Sequence, residues 1–138
     1  MSKHWDHIAG VIGFDPRPYE FAVRGAEEYP QRAGVARRLD ELCSLPDGWD
    51  GYRGRAVSAK TAERVHAMLA AFLAPTGRYP SIVPGDSGDV QVEWHWGGVD
   101  LEIEVSDDEP VVVFWFAYKD TDSEGIYGTF RLKDEVTC

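Results

Sequence analysis

The clearest pattern in the chain is a strict alternation of apolar and polar residues in two neighbouring stretches. Residues 89–96 and 99–105 place an apolar side chain at every second position, which is the period of a β-strand with one covered face. Between them stand Gly97 and Gly98, a pair favoured in two-residue hairpin turns because both turn positions need a positive φ. The pattern predicts a β-hairpin that turns at these glycines.

The predicted turn also sets which residues of the hairpin lie opposite each other. On the polar side the opposed pairs are Glu93 with Glu102, His95 with Asp100, and Gln91 with Glu104. Like charges placed directly opposite each other destabilise a sheet. Another interaction should therefore offset the repulsion between Glu93 and Glu102.

Two further strands are expected after this hairpin. Residues 111–118 are apolar on both faces, which is typical of a central strand covered on both sides, or by a partner on one. The side chains of this strand that share the acidic face are Val111, Val113 and Trp115, or else Val112, Phe114 and Phe116. Residues 124–132 supply the last predicted strand.

Two amphipathic helices are predicted before the strands. The first lies within residues 31–45, where three apolar residues recur at helical spacing. These residues are Val35, Leu39 and Leu42. The second begins after Ser58, a favourable N-cap residue, and stops before Pro75, which cannot continue a helix.

Residues 1–30 give the weakest pattern, because three prolines disfavour regular structure while aromatic residues suit a strand. We expect an irregular arm or an edge strand there. The chain as a whole predicts an α+β fold, with two helices packed on one face of an antiparallel sheet of four or five strands. We expect a single domain over residues 1–138, with the helices in 31–74 and the sheet in 81–133.

The negative charge is concentrated in the predicted sheet. Residues 81–138 hold fourteen acidic and three basic side chains, a net charge of −11, whereas residues 1–80 have a net charge of +1. A surface of one sign steers association toward partners of the opposite sign and repels nucleic-acid phosphates. We therefore expect a basic protein partner and no direct contact with nucleic acid.

The composition predicts a cytoplasmic protein. No stretch reaches the roughly 18 apolar residues of a membrane span, and the first residues lack the basic and apolar regions of a signal peptide. Cys43 and Cys138 form neither a disulfide framework nor a metal-ligand spacing. We expect no membrane partner and no cofactor.

The opposed Glu93 and Glu102 allow several interpretations. They can form an active site in which one carboxyl group donates a proton and the other accepts it, or they can ligate a cation. They can also be a solvated acidic face, or a surface that receives Lys and Arg side chains from a partner. His95 beside Asp100 fits a cross-strand ion pair or a pH-sensitive pair. No nucleophile or phosphate-binding motif accompanies these residues, which favours binding over catalysis.

A turn-rich segment joins the two predicted helices. Residues 48–52 combine two glycines, which permit tight backbone turns, with two large aromatic side chains. The segment is either a plug at the base of the helices or a recognition loop that uses Trp49, Asp50 and Tyr52. The neighbouring Arg53 and Arg55 leave the second interpretation open.

Three segments carry a resemblance to a known group of proteins. They are Leu45-Pro46-Asp47-Gly48-Trp49-Asp50-Gly51-Tyr52, the helix capped by Ser58, and Pro80-Ser81-Ile82-Val83-Pro84 leading to Val90-Gln91-Val92-Glu93-Trp94. Over residues 38–105 the chain resembles a widespread group of small, uncharacterised proteins of bacteria and their mobile elements, which has no assigned catalytic residues. Arg53, where the group usually has a small residue, and Cys138 depart from its pattern.

The resemblance also implies a biological context. Small acidic proteins of phages and other mobile elements are often inhibitors of host defence, anti-CRISPR proteins among them. By this analogy the chain is expected to act against a defence protein of its host.

These observations together predict a non-enzymatic binding module that occludes the basic, nucleic-acid-binding surface of a defence or regulatory protein. The expected contact residues on the sheet are Asp89, Glu93, Asp100, Glu102, Glu104 and Trp115. One alternative is a small enzyme or metal-binding domain that uses Glu93, Glu102 and His95. Another is a self-associating module, such as a homodimer.

The apolar side chains of the central strand could be covered by another part of the same chain instead of by a partner. The N-terminal arm could lie across it through its apolar side chains, which are Ile8, Val11, Phe14 and Phe21. Burial of these residues on the acidic face would support that covering.

Overall fold

A computed structural model of the protein describes residues 2–16, 29–107, 111–119 and 125–131. Its described parts contain three helices and one five-stranded antiparallel sheet, which confirms the α+β class. The helices are α1 (Ser2–Val11), α2 (Arg32–Cys43) and α3 (Ala59–Phe72). The strands are β1 (Ser81–Pro84), β2 (Val90–Trp96), β3 (Val99–Val105), β4 (Val111–Tyr118) and β5 (Ile126–Arg131).

The strands follow one another across the sheet in chain order, β1-β2-β3-β4-β5. The predicted hairpin between β2 and β3 is confirmed, because Glu93 pairs with Glu102 and His95 pairs with Asp100. Its two turn glycines both have a positive φ, 60° at Gly97 and 79° at Gly98, as the tight hairpin turn requires. The sheet also contains β1, a strand at its edge. The last residue of β1, Pro84, lacks a backbone N–H, which an edge strand tolerates on its unpaired side.

Helices α2 and α3 form where the apolar spacing predicts them. The hydroxyl oxygen of Ser58 accepts a hydrogen bond from the backbone N–H of Thr61 at 3.1 Å, so Ser58 is the N-cap of α3. The guanidinium of Arg38 on α2 donates from Nε to the carbonyl of Ile82 at 2.9 Å, which ties α2 to β1. In the described segments, the helices lack the combination of length and apolar character that crossing a membrane demands.

The expectation of an irregular arm or edge strand over residues 1–30 is wrong for its first part, where Ser2–Val11 form α1. Trp5 of this helix is fully buried, and its ring centroid lies 4.9 Å from that of Phe114 and 5.8 Å from that of Phe116. Phe14 pairs with Leu73 in an isolated β-bridge and belongs to no strand. Residues 17–28 lie outside the described residues.

One hydrophobic core joins all three helices to one face of the sheet. Every second residue of the central strands is buried there, so that Val92, Ile103 and Phe114 lie side by side. The residues between them stay partly or fully exposed on the other side of the sheet. The sheet therefore has one covered face and one accessible face.

Candidate functional site

The accessible side of the sheet, which we call the open face, carries the predicted site. Its side chains are Ser81, Val83, Gln91, Glu93, His95, Asp100, Glu102, Glu104, Val111, Val113, Trp115, Ala117, Tyr127, Thr129 and Arg131. The strand register arranges them in rows across the sheet. One row runs through Glu93, Glu102, Trp115 and Tyr127.

The structure decides which side of the central strand shares this face. Trp115 pairs with Glu102 and Val113 pairs with Glu104, so these two apolar residues lie among the carboxylates. The other half of the strand enters the core, where Phe114 and Phe116 are buried. The predicted contact residue Trp115 is thus on the same face as Glu102 and Glu104.

His95 links two of the carboxylates. Its Nδ1 lies 2.7 Å from Asp100 Oδ1, and its Nε2 lies 3.0 Å from Glu93 Oε1. Lys119 adds a second cation, with Nζ 3.7 Å from the same Asp100 oxygen. The cross-strand ion pair expected for His95 and Asp100 is therefore present, and it extends to Glu93.

These contacts favour the charged imidazolium. The hydrogen bond to Asp100 is the larger cause and the one to Glu93 the second, and together they raise the pKa of His95 above its usual value. A protonated His95 offsets part of the negative charge of both neighbours. Glu93 and Asp100 therefore both have a hydrogen-bonding partner within the protein.

Glu102 and Glu104 are in a different situation. Among the described residues, neither has a hydrogen-bond or ion-pair partner, although Glu102 lies directly opposite Glu93. Arg131 stands at the end of β5, paired in register with Val111. The uncompensated negative charge of the described open face is therefore centred on two neighbouring positions of β3.

Asp89 differs from the other predicted contacts. It precedes β2, and its carboxylate accepts a hydrogen bond from the backbone N–H of Ser87 at 3.1 Å. Its backbone carbonyl accepts from Gly85 N at 2.9 Å. Asp89 thus holds the turn between β1 and β2 and does not extend the ladder of carboxylates.

A groove of about 360 Å³ lies beside Glu102 and Glu104. Two aromatic rings form one wall, with the centroids of Trp115 and Tyr127 at 6.3 Å and their planes at 51°. Tyr127 is 74% exposed and Val113 is 39% exposed. The groove therefore combines carboxylate oxygens with accessible apolar surface.

Gly125 helps to set the position of the Trp115 indole. A side chain at Gly125 would collide with Trp115 Nε1, so only glycine lets the backbone pass this close. The Gly125 backbone therefore lies against one edge of the indole, and Trp115 is half-buried.

The segment with Trp49, Asp50 and Tyr52 is an ordered loop. The Asp50 carboxylate accepts backbone hydrogen bonds from Gly54 at 2.7 Å and Tyr52 at 2.9 Å, and these bonds, the one from Gly54 foremost, lower its pKa. Trp49 donates from Nε1 to the carbonyl of Arg55 at 2.8 Å. Tyr52 is 75% exposed, so it presents its ring to solvent and does not plug the base of the helices.

The loop does not line the groove. Its end is held beside the turn between β1 and β2, where the backbone N–H of Arg55 donates to the carbonyl of Asp86 at 3.1 Å. The loop thus ends beside the turn that Asp89 holds, and none of Trp49, Asp50 and Tyr52 lines the groove.

The N-terminal residues do not cover the open face in the described structure. Ile8 and Phe14 are fully buried in the core, and the Phe14 ring lies 5.2 Å from that of Trp94 on the opposite side of the sheet. Val11 also packs against the core. The proposed covering by these residues is wrong, and Phe21 lies outside the described residues.

Three possible metal ligands approach each other on the open face. One ligand atom each from Glu93, His95 and Glu102 lies within 4.8 Å of the other two. A set of two carboxylates and one imidazole has the hard and borderline donors that Mn²⁺ or Zn²⁺ accepts. The hydrogen bond between His95 and Glu93 already accounts for part of this proximity.

The sequence alone does not indicate the groove, because no motif marks Tyr127 as a neighbour of Trp115. Its position opposite Trp115 depends on where β5 starts after the preceding turn, and turn length alone does not set that register. The nearest signal is the alternation in residues 126–130, which places Tyr127 on the side away from Phe130.

Comparisons with protein-family models, with curated proteins and with solved structures gave no match to this chain.

Proposed function

We propose that the open face binds a basic surface of another protein. The supporting observation is that Glu102 and Glu104, without partners among the described residues, lie beside the accessible rings of Trp115 and Tyr127. Arg and Lys side chains of a partner would supply the missing counter-charges through charge-assisted hydrogen bonds. The apolar groups would supply desolvated contact area at the centre.

The partner is a protein whose basic surface normally holds nucleic acid, such as a defence or regulatory protein of the host. Carboxylates on a rigid sheet offer such a surface the acceptor oxygens and the negative charge that phosphates offer. The mechanism is occlusion, since the bound face excludes the nucleic acid. The same charge repels nucleic acid from this chain itself.

Charge removal on the open face tests the proposal directly. The variant Glu93→Gln/Glu102→Gln/Glu104→Gln removes three charges from this face, and Asp40→Asn/Asp47→Asn/Glu63→Gln removes three from exposed positions in and around the helices. We expect an arginine-rich peptide to bind the native chain and the second variant, with affinity that falls steeply with salt. Calorimetry or fluorescence anisotropy measures both properties.

The first variant should lose at least tenfold in affinity, because several charge-assisted contacts disappear together. An equal loss in both variants would show that total charge, and no particular face, governs binding. Absence of binding at low salt would refute the proposal. Affinity capture from host lysate with both variants, followed by mass spectrometry, would then identify proteins that depend on the open face.

A second candidate function is the binding of a divalent cation by Glu93, His95 and Glu102, which the convergence of their ligand atoms favours. Calorimetric titration with Zn²⁺, Mn²⁺ and Ca²⁺ separates it from the first. Heat and thermal stabilisation that vanish in Glu102→Gln, but persist in Glu104→Gln, would support the cation site. A chain that gives no heat with these ions does not have this function.

A further inference from the structure

We propose that the groove on the open face is a receptor for a single arginine side chain of the basic partner. This inference rests on the proposed function and adds the identity of the residue that anchors the complex. The side chains that would contact the arginine are Gln91, Glu102, Glu104, Val113, Trp115 and Tyr127.

The size of the groove suits one long side chain. Its volume is about 360 Å³. An extended arginine side chain and a few bridging waters fill such a space. Val113, which is 39% exposed, offers apolar surface for the aliphatic part of the arginine.

The acidic wall suits a guanidinium. Glu102 and Glu104 are two residues apart on one strand, so their backbones are separated by about 6.6 Å. Carboxylates at this spacing can accept from both sides of a planar group that has five donors in a fixed fork. Gln91, which pairs with Glu104 across the hairpin, brings an amide oxygen as a further acceptor. A lysine ammonium is a compact charge with three donors and would use fewer of these acceptors.

The aromatic wall points to the same ligand. The rings of Trp115 and Tyr127 are tilted by 51°, and Tyr127 is largely exposed, so the groove keeps an aromatic face open. A guanidinium stacks on such a face more readily than an ammonium does. The protein makes this contact itself at another place, where the guanidinium carbon of Arg78 lies 3.6 Å from the ring centroid of Trp96.

Other occupants fit less well. An apolar ligand would bury Glu102 and Glu104 without counter-charges, which is costly. A second copy of this chain would bring another open face whose central carboxylates repel these. A basic partner is the occupant whose charge complements the groove.

The inference can be tested with three peptides that share a lysine-rich sequence and differ at one central position, which is arginine, lysine or citrulline. We expect the arginine peptide to bind about threefold to tenfold more tightly than the lysine peptide, and the citrulline peptide to bind weakest. Calorimetry at low salt gives the affinities. A change in tryptophan fluorescence that disappears in Trp115→Phe would place the peptide at the groove.

Variants of the groove separate this preference from general attraction. Tyr127→Ala and Glu104→Gln should remove the preference for arginine. Because Tyr127 is highly exposed, its replacement should not unfold the protein, so a lost preference would report on the groove. Glu63→Gln should retain the preference, because Glu63 is exposed on α3 and does not line the groove.

The outcomes distinguish the two proposals. If all three peptides bind with equal, salt-dependent affinity, and the open-face triple variant weakens them, the arginine receptor is refuted while the basic partner stands. If no peptide binds, both proposals fail. If light scattering shows a dimer that Tyr127→Ala dissociates, the groove is a self-association surface and the arginine receptor is refuted.

Discussion

Glu102 occupies a position that is unfavourable for the stability of the folded state. It lies directly across from Glu93 in the sheet, and a cross-strand pair of like charges destabilises a sheet by up to about 1 kcal/mol. A cation supplied by a partner would relieve this repulsion in the complex. A carboxylate kept at this position is easier to explain by binding than by stability.

We expect Glu102→Gln to raise the free energy of unfolding by roughly 0.5 kcal/mol at low salt while it weakens partner binding. The gain should shrink in about 1 M salt, where the Debye length falls to ~3 Å. Glu104→Gln is the matched control, because its cross-strand neighbour is Gln91, and it should weaken binding without stabilising the fold. Denaturant unfolding at both salt concentrations measures the difference, and equal stability changes in the two variants would contradict it.

His66 is a titratable group in the helical layer, away from the open face. The hydroxyl of Tyr29 lies 2.6 Å from His66 Nδ1. Burial, and to a smaller degree the charge of Arg32, lower the pKa of His66 from 6.5 to about 4. The folded protein therefore holds this imidazole neutral under conditions in which the unfolded chain protonates it.

This depressed pKa predicts a loss of stability in mild acid. The unfolded chain binds a proton at His66 near pH 6.5, whereas the folded protein binds it only near pH 4. The stability that depends on neutral His66 is therefore fully present above pH 6.5 and declines as the pH falls toward 4. Because His66 is half-exposed, we expect a discounted effect of about 1–2 kcal/mol. His66→Gln should lose less stability over this range, and NMR titration should show the His66 ring still neutral at pH 5.

At the scale of elements, α1 and the β2–β3 turn depend on each other. A side chain at Gly97 would collide with Val11 at the end of α1, and the φ of Gly97 is 60°. Gly98 has a φ of 79°, but a Cβ added there would meet no atom within 4 Å. Both turn positions therefore favour glycine because of their positive φ. Gly97 is required for a second reason as well, which is its close contact with α1.

Gly97→Ala should therefore destabilise the protein more than Gly98→Ala. Both substitutions place a Cβ on a left-handed backbone, which costs about 1–2 kcal/mol, and only the first also collides with the Val11 side chain at the end of α1. We expect the difference between them to be about 1 kcal/mol or more in chemical unfolding. Equal destabilisation would mean that α1 does not pack on the turn.

The hairpin was predictable because its determinants are local. The alternation in β2 and β3 and the adjacent glycines set both register and facing, so the amino-acid pattern alone predicts that Glu93 lies opposite Glu102. Helix α1 was missed because Gly10, Gly13 and the nearby prolines dilute a short pattern in which Trp5, Ile8 and Ile12 share a face. Its stability comes from distant aromatic residues, which no local pattern reports.

The groove was harder to predict than the two carboxylates that line it. Glu102 and Glu104 belong to the locally determined hairpin, whereas Trp115 and Tyr127 join them only through two further strand registers. The proximity of His95 to both Glu93 and Asp100 followed partly from sequence, since one neighbour is cross-strand and the other is two residues away on the same strand.

At the scale of the whole molecule, Trp5 connects the first helix to the centre of the sheet. It is fully buried against Phe114 and Phe116, and its indole N–H has no acceptor among the described residues. We expect Trp5→Ala to lower the free energy of unfolding by about 3–5 kcal/mol, a large share of the roughly 5–15 kcal/mol typical of a domain. Trp5→Phe should cost less, because it keeps an aromatic ring and removes the unpaired donor.

Gly10→Ala provides the opposite control in the same helix. No atom outside the helix lies near the position of the added methyl group, so we expect a gain of about 0.5–1 kcal/mol from reduced backbone entropy in the unfolded chain. Denaturant curves for the three variants test whether α1 is an integral part of the fold. A loss below about 1 kcal/mol in Trp5→Ala would contradict this packing.

The packing of α1 also affects how the protein can be made. His4 and Tyr118, which lie 3.4 Å apart in the folded state, are separated by 114 positions in the chain. A ribosome that adds about 5–20 residues per second leaves the apolar side of α1 without its partners for several seconds. During that interval the newly made helix is a natural client for chaperones, and the protein can complete its core only when translation is nearly finished.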